Sequence, residues 1–113
     1  MTEISVRELY ALYLDTVERA TSNILDLTDE EIAYNLFEEF DIGVTSYLHE
    51  DSLAKLYRAG LIDAEMVAIS KEVRKRWLVL QKESWSIEDI KKRNDWKELF
   101  ELCDWLKSKA QIV

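Results

Sequence analysis

Nine carboxylates, Asp26, Asp29, Glu30, Glu31, Glu38, Glu39, Asp41, Glu50 and Asp51, lie between Arg19 and Lys55 with no Lys or Arg among them. Carboxylates at this density can act as acid and base, ligate a hard cation, or draw a cationic surface toward them. Acid–base work needs two groups whose surroundings separate their pKa values, and so many pairs qualify by spacing that none is singled out. His49 is the single histidine and Cys103 the single cysteine. Neither His-Glu-x-x-His nor Glu-x-x-His spacing occurs, so a helical metal site lacks ligands and His49 reads as an exposed or capping residue. Cys103 falls on an apolar stripe beside Phe100 and Leu106, where burial makes a thiol inert. No Gly-x-Ser-x-Gly is present. The residues therefore predict no catalytic site, no metal, no cofactor and no enzyme.

A calcium loop over residues 41–52 fails at its ligand positions. Gly43 stands where the third position needs a side-chain oxygen, Ser46 where the sixth needs glycine, and Ser52 where the twelfth needs a bidentate Glu. What remains is the field of the charges. Residues 1–54 hold 13 acidic against 2 basic residues, net −11, while residues 55–113 hold 10 against 13, net +3. A surface of the first kind attracts basic proteins and repels nucleic acid and anionic lipid.

Helices must carry these groups. The chain has no Pro and only Gly43 and Gly60, and 48% of its 113 residues are apolar, including four Trp, five Tyr and three Phe. That composition removes helix breakers and supplies a core, so it predicts an all-α, compact single-domain bundle of about five helices spanning 1–113. The start MTEISVREL lacks a signal peptide's basic region and apolar run, no stretch approaches membrane-span length, and one cysteine suits a reducing compartment. The expected location is the cytoplasm, away from membranes.

Ser5-Val6-Arg7-Glu8 and Thr28-Asp29-Glu30-Glu31 have the capping-box form that opens a helix. From the first, Val6, Leu9, Tyr10, Tyr13, Val17 and Ala20 form one stripe to about residue 21. From the second, a helix over about 29–40 faces Ile32, Ala33, Leu36, Phe37 and Phe40 inward and Glu30, Glu31, Tyr34, Glu38 and Asp41 outward. Asp41-Ile42-Gly43 reads as a turn, followed by a helix from near Ser46 to a left-handed cap at Gly60, with Leu53, Leu56 and Tyr57 inward. Ile62 and Val67 bracket Asp63 as a staple around an N-cap, so a long helix starts at about Ala64 and runs to about residue 83 on Met66, Ile69, Ser70, Val73, Trp77 and Leu80. Ser84-Trp85-Ser86 breaks the pattern, a short turn covers Ile87 to Ile90, and Asn94 caps a last helix over about 95–109 with Trp96, Leu99, Phe100, Cys103 and Leu106 inward.

Two basic clusters, Lys71, Arg74, Lys75 and Arg76 on the long helix, and Lys91, Lys92 and Arg93 near Trp85 and Trp96, are expected to pair with the acidic half of the same or a neighbouring subunit, since a net charge of −8 opposes nucleic-acid binding. Glu72 with Arg76 and Glu88 with Lys92 have i,i+4 spacing. Trp105 and Tyr34 stand on predicted polar sides as candidate interface anchors.

With its acidic helix and the Gly60-Leu61-Ile62-Asp63 junction, the chain resembles the small, acidic, all-helical immunity proteins encoded beside bacterial polymorphic and contact-dependent toxins. The resemblance spans the whole length in size, acidity and helix order. It implies a non-enzymatic cytoplasmic protein that binds a cognate basic toxin domain, often a nuclease, and occludes it. No residue role transfers, because those proteins share no motif. On the residues themselves, the expected contact set is Asp29, Glu30, Tyr34, Glu38, Asp41, Glu50 and Asp51. The alternative is a helical regulatory or adaptor protein that uses an apolar protein or homodimer interface, with Trp105, Leu102, Leu78 or Val67 exposed.

Overall fold

A computed structural model describes residues 4–83 and 86–111. The fold is an all-α bundle, as the composition requires, with a radius of gyration of 13.8 Å. Helix α1 (Val6–Glu18) opens at Ser5, whose hydroxyl accepts from the Glu8 amide at 3.1 Å. A 3-10 turn (Ser22–Asp26) leads to α2 (Asp29–Tyr34), where Thr28 and Glu31 complete a reciprocal capping box. The chain then passes through a π-helical segment, Asn35–Phe40, into α3 (Asp41–Ser46) without leaving helical geometry. Next come α4 (Glu50–Arg58), α5 (Ala64–Leu80), the short α6 (Ile87–Lys92) and α7 (Asn94–Gln111). Gly60 has φ of 77°, the left-handed cap its position demands. Asp63 caps α5 by accepting from the Met66 amide at 2.8 Å, and Ser86 with Asp89 boxes α6. The breaks expected at Ser84 and Trp85 and the environment of Trp85 lie outside the described residues.

Residues 29–46 form one rod, which corrects the reading of Asp41-Ile42-Gly43 as a turn. Gly43 is buried inside the rod where it crosses α1. A Cβ at that position would lie 2.8 Å from Thr16 Cβ and closer still to the Thr16 Oγ1 and Cγ2. Glycine serves close helix approach here, a role that a lone glycine in sequence does not distinguish from a turn. The rod ends at Tyr47, so α4 starts at Glu50 rather than near Ser46. His49 is its cap, Nδ1 accepting from the Asp51 amide at 3.2 Å. Tyr57, expected inward, is exposed, whereas Leu53 and Leu56 are buried.

The core joins the rod to α1, α5 and α7. Leu9, Tyr13, Val17 and Ala20 of the first stripe are buried, Tyr10 is half-buried and Val6 exposed. All five expected residues of α7, Trp96, Leu99, Phe100, Cys103 and Leu106, are buried, and burial pushes the Cys103 thiol up, which keeps it protonated. At the centre Trp77 meets Phe40 edge-on at 5.1 Å between centroids, Phe37 at 5.4 Å and Trp96 at 6.0 Å. Such pairs add about 0.5–1.5 kcal/mol each beyond the area they bury. Between α1 and α5 the buried hydroxyls of Tyr13 and Ser70 share a 2.7 Å hydrogen bond, which offsets the cost of taking both out of water.

Two outcomes follow from this packing. Gly43→Ala gains helix propensity but overpacks the crossing, so it should lower unfolding stability by about 1–3 kcal/mol. Thr16→Ala in the same chain should restore part of the loss. Denaturant titration measures both. The second concerns Tyr13, whose hydroxyl is pushed up to about 12 chiefly by burial, with the Ser70 hydrogen bond opposing. The unfolded chain then releases this proton first, so the contribution is complete below about pH 10 and falls through about pH 12, by about 3 kcal/mol in all. Tyr13→Phe should flatten the alkaline limb of a stability–pH curve. An unchanged limb would contradict the assignment.

Candidate protein-binding face

The acidic helix was expected to turn Asp41 outward with Glu30, Tyr34 and Glu38. The structure turns it the other way. Asp41 Oδ1 accepts from the Trp77 indole N–H at 2.9 Å, and the residue is half-buried. The π segment is the cause. Its i→i+5 turns take up more residues than the 3.6 of an α-helix, so each residue advances by a smaller angle and the residues after the segment are rotated relative to a regular count. Ile42 takes the outward place and is 60% exposed, while Tyr34 is 50% exposed. The rod therefore presents an exposed ridge of Glu30, Tyr34, Glu38 and Ile42 at four-residue steps. A four-residue step overshoots an α-helical turn, and the wider π turn compensates, which keeps these residues on one side.

The same geometry fixes Tyr34. Residues five apart lie on different faces of a regular α-helix but stack in a π turn, and Tyr34 donates its hydroxyl proton to Glu39 Oε1 at 2.6 Å. That bond raises the tyrosine pKa, with the Glu39 charge acting in the same direction. The ring is held on the ridge as a fixed apolar surface ringed by carboxylates. Arg19, at the edge of the acidic stretch, is occupied by the Asn35 side-chain oxygen at 2.9 Å and by Asp15 at 3.6 Å.

The flanks of the expected contact set have partners within the molecule. Asp29 pairs with Lys91 at 3.0 Å and Glu50 with Lys71 at 3.7 Å, one lysine from each basic cluster, whereas Arg76, Lys92 and Arg93 pair with carboxylates of the second half, which corrects the expectation that the clusters pair with the acidic half as a whole. Asp51 lies 3.9 Å from the His49 ring nitrogen. Glu72–Arg76 and Glu88–Lys92 form at 3.0 and 2.7 Å. By contrast, Glu30 and Glu38 have no ion pair or side-chain hydrogen bond among the described residues. These two carboxylates, with Tyr34 and Ile42 between and beyond them, are the unsatisfied centre of the acidic half. Sequence reasoning missed Ile42, and the signal that could have found it, a wide turn at Asn35-Leu36-Phe37, has no reliable sequence mark.

Among the described residues no group of three or more His, Cys, Asp or Glu is placed to hold a metal. Among the described residues the buried polar residues are Thr16, Thr21 and Ser70, with no carboxylate among them. Val67, Leu78, Leu102 and Trp105, the apolar interface of the alternative reading, are each half-buried. Trp105 packs on the core with the Lys109 ammonium 5.6 Å above its ring, and the tail residues Ile112 and Val113 lie outside the described residues. No described helix is long and apolar enough to cross a membrane.

The contrast between inward Asp41 and outward Glu38 is measurable. Asp41→Ala leaves a buried indole N–H without its acceptor and should cost about 1–3 kcal/mol. Glu38→Ala should stay within about 0.5 kcal/mol of wild type. Equal costs in urea unfolding followed by tryptophan fluorescence would reject the assignment. No protein-family model, curated protein or solved structure matches the chain.

Proposed function

We propose that this chain is a non-enzymatic binding protein whose exposed ridge takes a basic protein partner, in the manner of a cytoplasmic immunity protein that covers a cognate toxin domain. One observation carries the reading: Glu30 and Glu38 stand exposed and, among the described residues, unpaired beside exposed Tyr34 and Ile42, in a stretch from which Lys and Arg are absent. Unpaired like charges repel one another, and a cationic partner converts that repulsion into attraction that speeds encounter. Tyr34 and Ile42 then supply the desolvated contact that holds the complex, since an aromatic anchor ringed by polar groups is the usual form of an energetic centre. Asp29 and Glu50 join the interface by exchanging Lys91 and Lys71 for partner cations, Asp51 lies at its margin, and Asp41 acts from behind by setting the phase of the rod.

The test uses wild type and a Glu30→Gln/Glu38→Gln variant as baits in the native host, followed by kinetics on the captured protein at low and high salt. The wild type should retain a basic protein, and the variant should bind it more slowly and with weaker salt dependence. Tyr34→Ala should instead hasten dissociation and cost about 2 kcal/mol or more. Equal rates and equal salt sensitivity for all three proteins would show that the ridge is only a solvated face.

A further inference from the structure

A second feature lies away from the acidic ridge, where the start of α1 meets α4. Ile4, Val6, Leu9 and Tyr47 line a cleft of about 590 Å³ together with Lys55 and Arg58. Ile4 and Val6 are 49% and 38% exposed, so the cleft offers apolar wall to solvent. Its volume falls in the range of small-ligand sites.

Two cations border this apolar wall, and Arg58 stands between it and the neighbouring cleft. The Lys55 ammonium has no ion pair or hydrogen bond among the described residues, and the Arg58 guanidinium donates only to the Ala54 carbonyl of its own helix at 3.3 Å. The neighbouring cleft of about 630 Å³ shares Arg58, but its second cation, Lys109, is neutralised by Asp63 at 3.4 Å and Glu65 at 3.1 Å. Lys55 and Arg58 occupy the last turn of α4, where cations complement the helix dipole. That accounts for their charge but not for the apolar wall they border. The first turn of α1, whose amide end carries partial positive charge, lies on the same cleft. Glu8 is the carboxylate of that turn and is engaged by the Ser5 hydroxyl at 3.3 Å.

We propose that this cleft binds a small amphipathic carboxylate, with its chain along Ile4, Val6, Leu9 and Tyr47 and its head group between Lys55 and Arg58. A small ligand is favoured over an acidic protein or membrane because the net charge of −8 repels an extended anionic surface. A single carboxylate meets mainly the two local cations. The guanidinium and ammonium groups can each donate a charge-assisted hydrogen bond to it.

Octanoate, octanol and octyltrimethylammonium, each below its micelle threshold, serve as probes in amide NMR titrations of the intact chain. Octanoate should shift amides of the first turn of α1 and of residues 46–59 saturably. The Lys55→Gln/Arg58→Gln variant should bind it about tenfold or more weakly, since each lost bond to a charged group carries roughly that factor. Octanol should bind both proteins alike, and Lys55→Arg/Arg58→Lys should retain octanoate. The proposal is overturned if octanoate shifts do not saturate or scatter over the surface. It is also overturned if the Gln variant binds octanoate as tightly as wild type, or if the cationic amphiphile binds as well.

Discussion

A buried indole cannot be left without an acceptor, and the hydrogen bond from Trp77 to Asp41 is the constraint on which the exposed ridge depends. Trp77 is locked by Phe37, Phe40 and Trp96, so it cannot turn its N–H toward water. The rod must bring a carboxylate to it. Asp41 reaches that point only because the π segment rotates the later part of the rod, and the same rotation sends Ile42 outward. Core packing thus decides which side chains the ridge exposes. The link from sequence to the proposed function runs through helix phase, with the exposed ridge as the far side of an interior requirement.

Charge distribution makes the complementary point. Lys91 and Lys71 satisfy the ends of the acidic stretch across α2–α6 and α4–α5, although exposed pairs of this kind contribute only about 0–1 kcal/mol. Their more important effect is to define where the negative field remains uncompensated. Glu30 and Glu38 are left facing solvent around a tyrosine fixed by Glu39. A face built this way is orderly before any partner arrives, which reduces the side-chain entropy lost on association.

Much of the fold was legible because local chemistry specifies it. Thr28 with Glu31, Ser5, Asp63 and Ser86 satisfy backbone donors at helix starts, a role set by a few adjacent residues. Gly60 adopts the left-handed conformation that the end of α4 requires. The apolar stripes of α1, α5 and α7 follow from a regular 3.6-residue period. The acidic rod was less legible because its geometry depends on contacts distant in sequence. Gly43 looked like a turn residue, and only Thr16 of α1 reveals it as a close-packing point. The inward Asp41 and outward Ile42 depend on the π segment, which a regular count cannot represent. Seven contact residues were expected from type and spacing, and the structure leaves Glu30, Tyr34 and Glu38 as the exposed centre while adding Ile42.

The phase of the rod can be measured directly by nuclear Overhauser contacts and solvent exchange of the Trp77 indole proton. The expected result is a slowly exchanging resonance close to the Asp41 β-protons and to the Phe40 ring, with Ile42 protons remote from it. A rapidly exchanging indole with no contact to Asp41, together with regular i→i+4 helical contacts across residues 35–40, would contradict the account.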